Sequence, residues 1–193
     1  MTAMQPPAGA AYRSAAGEAL VTQVAAIFLL IVLLGASPAS SQVTGDKTVV
    51  PGTRVGLWTL EMSIQDLLRT NGPVGTRPTI ASAYVPRMTW YAWDALGIAT
   101  GTHNRRTVEF LAVYETRELS TQRSIGIKTS RRAVLAAYGQ PELEGDIYVQ
   151  GKIISVLIYN KIGLAVFLND DTVQMMLVFR PGNGGDLISS CGA

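Results

Sequence analysis

Two stretches of this chain, 67 residues apart, spell the same local event. Ser63-Ile64-Gln65-Asp66-Leu67-Leu68-Arg69-Thr70-Asn71-Gly72-Pro73 and Ser130-Arg131-Arg132-Ala133-Val134-Leu135-Ala136-Ala137-Tyr138-Gly139-Gln140-Pro141 each begin with a capping serine and stop at a glycine with proline close behind. A serine hydroxyl can accept from a free N–H of the first helical turn, and glycine can take the left-handed conformation that ends a helix. Between those signals the apolar side chains Ile64, Leu67 and Leu68, then Val134, Leu135 and Tyr138, fall on one helical face. Helices this short are marginal in water, so each must pack on something else. A repeat of this kind constrains the fold more than any single motif.

The segments after each helix recur as well. Met88–Trp93, Leu96–Thr100 and Thr107–Tyr114 read as three strands, with a turn at Asp94-Ala95 and a link through His103-Asn104-Arg105-Arg106. In the second copy Lys152–Tyr159, Ile162–Leu168 and Thr172–Phe179 do the same around turns at Asn160-Lys161 and Asn169-Asp170-Asp171. Asp94-Ala95-Leu96-Gly97-Ile98-Ala99 superposes on Asn160-Lys161-Ile162-Gly163-Leu164-Ala165, and Thr107-Val108 on Thr172-Val173. The segments Val74–Pro86 and Gly145–Gln150 read as irregular crossings.

The expected fold class is therefore α+β: two tandem helix-plus-antiparallel-meander units, their helices packed on one face of the sheet or sheets. The expected boundaries are a targeting segment at 1–39, a linker at 40–52, units at 53–118 and 119–181, and a flexible tail at 182–193. Val173, Met175, Leu177 and Phe179 alternate with Met176 and Val178, so both faces of the last strand are apolar and the second face should be covered too.

The apolar core of the first segment, Val24 to Leu34, has the length of a signal-peptide h-region and is short of the roughly 20 residues of a spanning helix. Gly35-Ala36-Ser37-Pro38-Ala39 supplies small residues at a cleavage spacing. The basic n-region is weak, with Arg13 alone, so cleavage and retention as an anchor over residues 19–36 both stand. Either way the rest of the chain is expected outside the cytoplasm, periplasmic or extracellular.

A strand-like lead, then Ser/Thr with Leu or Val four residues on, then Gly-x-Pro and a meander, resembles a family of exported bacterial modules. These are the small outer-membrane assembly lipoproteins and the tandem β-lactamase-inhibitor protein built on the same unit. The resemblance runs from about Thr53 to Phe179 and implies helices on one sheet face, with the other face free for protein contact and binding as the activity. The sequence departs from the pattern at Glu61 and Lys128, where the family has glycine, at Gly72-Pro73, which lacks the spacer, and in having no cysteine for lipid attachment.

Composition narrows the function classes. Hydrophobic residues make up 48% and charged ones 16%, which describes a globular chain. A formal charge of +2 is too small for nucleic-acid binding, which rests on neutralising many phosphates. One cysteine, Cys191, allows no disulfide within the chain, and one histidine, His103, sits in a turn without a partnering motif. Asp170-Asp171 and Glu142-x-Glu144-x-Asp146 lack calcium-loop spacing. No cofactor or metal and no catalytic residues are expected.

Two clusters remain as candidate sites. Trp90, Tyr91 and Trp93 share a strand, with Tyr91 and Trp93 on one face and Trp90 on the other; they are either core or a partner-binding aromatic patch. Lys128, Ser130, Arg131 and Arg132 gather at a helix N-terminus, either as an anion site or as a solvated basic face. The favoured expectation is a non-catalytic protein-interaction module of the bacterial cell envelope, with an unknown envelope or secreted protein as partner. A binder of a small anionic or apolar ligand is the alternative.

Overall fold

The computed structural model describes residues 45–72, 74 and 88–184. The targeting segment, the start of the linker, most of the crossing before the first meander, Cys191 and the end of the tail lie outside the described residues. Within those residues, eleven strands and two α-helices run in the order β1 (Thr48–Val50), β2 (Arg54–Val55), β3 (Trp58–Thr59), α1 (Ile64–Asn71), β4 (Thr89–Trp93), β5 (Ile98–Thr102), β6 (Phe110–Tyr114), β7 (Ser120–Thr121), α2 (Arg131–Tyr138), β8 (Leu143–Val149), β9 (Lys152–Tyr159), β10 (Leu164–Asn169) and β11 (Thr172–Phe179). A 3₁₀ turn, Asp94–Leu96, joins β4 to β5.

Both helices form where their caps dictate. The Ser63 hydroxyl accepts from the Asp66 N–H at 3.4 Å, and the Ser130 hydroxyl from the Ala133 N–H at 3.3 Å. Gly72 and Gly139 end them at φ of 75° and 78°. Ile64 and Leu67 are buried in α1, and Val134 in α2.

The strands form a seven-stranded sheet, β4-β5-β6-β11-β10-β9-β8, and a four-stranded sheet, β3-β2-β1-β7. Every neighbour in the larger sheet is antiparallel. β6 and β11 meet at its centre, Phe110 opposite Phe179 and Tyr114 opposite Met175. In the smaller sheet β1 and β7 run parallel.

The α+β expectation is thereby corrected: among the described residues the chain is mostly β, 45% strand against 15% helix, and its strands build two sheets. The reason is one of area. An eight-residue helix is about 12 Å long, whereas seven strands span about 29 Å. Two such helices cannot cover the sheet. Val49, Val55 and Trp58 of the smaller sheet therefore share one core with Ile64, Leu67 and Val134 of the helices and Leu157, Leu164, Val166 and Val178 of the larger sheet. Thr48–Val50, within the stretch read as a linker, is a strand, and Val49 is fully buried. Gly145–Gln150, read as a crossing, lies largely within β8.

The opposite face of the larger sheet is apolar as well, with Phe110, Phe167, Met175, Leu177 and Phe179 buried there. Ala92, Ala99, Ala112 and Ala165 lie among them.

Local geometry recurs in pairs along the chain. Glu61 and Lys128, where glycine would be comfortable, both sit at positive φ, 72° and 73°. The Glu61 N–H donates to the Val108 carbonyl oxygen, and the Lys128 N–H to that of Val173. Gly97 and Gly163 are left-handed at 63° and 69°, each accepting from the strand that ends its meander, Tyr114 N–H and Phe179 N–H.

Candidate functional site

The aromatic strand divides as alternation requires. Trp93 is 5% exposed. It meets Trp58 edge-to-face at 4.8 Å and donates its indole N–H to the Gly72 carbonyl oxygen at 3.3 Å. Tyr91 packs partly buried on the same core. Trp90 turns to the other face and lies over Gly101, so close that a Cβ there would stand 2.9 Å from its ring. The three side chains thus do not share one surface.

The basic cluster is likewise dispersed. Arg131 pairs with Glu144, an interaction that raises its pKa. The Lys128 ammonium donates to the Gln174 side-chain oxygen at 3.3 Å. Ser130 is committed as the cap, and the Arg131 N–H donates to the Asp171 carbonyl oxygen at 2.8 Å. Arg132 is left exposed. With the Arg131 and Ala133 N–H groups and the Arg131 guanidinium already engaged, this helix start offers an anion little.

His103 Nδ1 lies 2.6 Å from Glu109 Oε2, closing the turn expected for it. Among the described residues, no three His, Cys, Asp or Glu side chains converge as metal ligands would.

Two other features stand out. The first is a cleft of about 410 Å³ at the C-terminal end of α2, within the size range of small-molecule sites. Tyr138 and Tyr159 line it with ring centroids 5.4 Å apart. The Tyr159 hydroxyl donates to the Gly139 carbonyl oxygen at 3.1 Å, and burial pushes its pKa up to about 12. Burial also raises the pKa of Tyr138, against the opposing effects of a hydrogen bond with Thr121 and the charge of Arg123. The Arg123 guanidinium lies 5.1 Å from the Tyr138 ring centroid and donates to the Ala137 carbonyl oxygen. Lys161, Glu142 and Ile162 lie on the rim, with Pro51 and Gln122.

The second feature is the hairpin of β8 and β9. β8 is an end strand of the larger sheet, so one edge pairs with no described strand. Ile147 and Ile154 face each other on the buried side. One step along, Tyr148 and Ile153 face each other on the other side, 75% and 65% exposed. The sequence signal was there, a tyrosine and an isoleucine flanking Gln150-Gly151, but the acidic residues before it disguised the strand.

No protein-family model matches the chain, and no curated protein matches it. Two solved structures resemble it distantly. One is a DUF4309 family protein from Bacillus subtilis, 13% identical, with a TM-score of 0.43 over 67% of this chain and 88% of that one. The other is a cysteine-rich secretory protein from Staphylococcus aureus, 12% identical, with a TM-score of 0.40 over 70% of this chain and 49% of that one.

Proposed function

We propose that this chain is an exported, non-catalytic interaction module of the bacterial cell envelope that meets its partner protein through the β8–β9 hairpin. The observation that carries the reading is the exposure of Tyr148 and Ile153 opposite each other on an end strand and its neighbour. A single exposed apolar residue is ordinary. A cross-strand pair beside an edge that no described strand pairs with offers more: backbone groups that an added strand can satisfy, and side chains that anchor it. Tyrosine is among the residues that most often dominate such contacts.

Export rests on the apolar run Val24 to Leu34 and the small residues after it.

Photo-crosslinking in the native envelope tests the reading. A crosslinking amino acid is placed at Tyr148, at Ile153 or, as a control, at Leu57, an apolar residue 63% exposed on the smaller-sheet side of the chain. The same adduct from the first two positions and none from the third is expected. No adduct, or one equally strong from all three, would refute the hairpin contact.

A further inference from the structure

Tyr159 and Trp93 do the same work at the two helix ends, each donating to the terminal glycine carbonyl, but their neighbours differ. Trp93 is met edge-on by Trp58, and both tryptophans are 5% exposed. Tyr159 is met by Tyr138, and there the surface opens as the cleft.

Its charges are uneven. Arg123 has no carboxylate partner among the described residues, and one N–H donor on Nη1 goes to the Ala137 carbonyl oxygen. A guanidinium has five such donors in a planar fork, so others remain. The carbonyl contact and the stacking on Tyr138 also hold it in place, which lowers the entropy lost when a ligand binds. Lys161 likewise has no acidic partner among the described residues, and Glu142 is the one carboxylate on the rim. Two cations against one anion favour a single negative charge. The two tyrosine rings and Ile162 offer an apolar wall.

We infer that this cleft binds a small monocarboxylate with an aromatic body, its carboxylate on Arg123 and Lys161 and its ring against Tyr138 and Tyr159. Arg123 supplies the forked donors that match a carboxylate, and Lys161 adds a second charge. Glu142 acts against dianions, because a second negative charge would be set beside its own. This ligand site is separate from the hairpin contact and does not depend on it.

The test is titration of the ¹⁵N-labelled protein with 3-phenylpropionate, phenylacetate and indole-3-acetate, followed by amide shifts. Acetate, the neutral amide of 3-phenylpropionate, and phenylsuccinate serve as comparisons. Saturable shifts confined to residues around Arg123, Tyr138 and Tyr159 are expected with the aryl monocarboxylates. Affinity should fall at least about tenfold for the amide and for Arg123→Gln, as loss of a charge-assisted fork implies. Lys161→Gln, a change at an exposed turn, should weaken binding less while leaving the melting temperature unchanged. The inference is overturned if none of the aryl monocarboxylates gives saturable shifts, if acid and amide bind equally, or if Arg123→Gln and Lys161→Gln both bind as the parent does.

Discussion

The Tyr159 hydroxyl donates to the Gly139 carbonyl oxygen across 3.1 Å, tying the last residue of β9 to the residue that ends α2. A short helix needs such a tie, because its own hydrogen bonds do not sustain it. Tyr159→Phe removes that bond and keeps the ring, so it should cost about 1 kcal/mol. Tyr159→Ala also empties the space beside Tyr138 and should cost about 3–5 kcal/mol. Urea unfolding of both variants measures the difference.

Gly163, just before β10, is the tightest of the described glycines. A Cβ there would come within 2.0 Å of the Phe179 carbonyl oxygen and 2.8 Å of the Gly52 Cα, at a left-handed φ of 69°. Neither neighbour is a flexible side-chain end. Gly163→Ala should therefore destabilise by at least about 3 kcal/mol. Gly145, in β8, has nothing within 4 Å of the same added atom. Gly145→Ala should change stability by no more than about 0.5 kcal/mol, and comparing the two unfolding midpoints checks both.

Asp46 gives the smaller sheet a pH dependence. Its carboxylate accepts from Thr48, through the hydroxyl and then the backbone N–H, and from Arg54, and these contacts bring its pKa down from 3.8 to about 2. A carboxylate whose pKa is lower in the folded state stabilises the fold above its unfolded value, and that contribution is lost as pH falls through the folded value. Asp46→Asn should thus be less stable than the parent at pH 7. The difference should shrink between about pH 4 and pH 2 and be gone below that window, a trend readable from urea midpoints across the range.

Trp93 belongs to the core. Trp93→Ala should cost about 3–5 kcal/mol, since it leaves the edge of Trp58 without its partner as well as a cavity. Retention of parental stability in a thermal melt would contradict that placement.

What the letters revealed depended on whether the deciding contact was local. Ser63, Gly72, Ser130 and Gly139 are local signals, and both helices begin and end where they say. Lys152–Tyr159 and Thr172–Phe179 are read directly, because apolar residues dominate them. The smaller sheet was not legible. Its strands are two or three residues long, and β1 finds its parallel partner β7 some 70 residues away, where no periodicity points. That hidden layer is what made the α+β expectation fail. β8 was missed because Glu144, Gly145 and Asp146 are poor strand formers that an edge tolerates and a central strand would not. The cleft was equally invisible: Arg123 and Tyr138 are joined to Tyr159 by the fold alone.

The exposed hairpin pair, Tyr148 and Ile153, is proposed as a contact surface for another protein. Its most direct measurement is quantitative co-purification of the adduct partner with the parent chain and with Tyr148→Ser/Ile153→Ser, alongside melts of both. Because both side chains are solvent-exposed, the double variant should melt with the parent yet lose at least about tenfold in affinity for the partner. An equally stable variant that retains the partner in full would refute the hairpin contact.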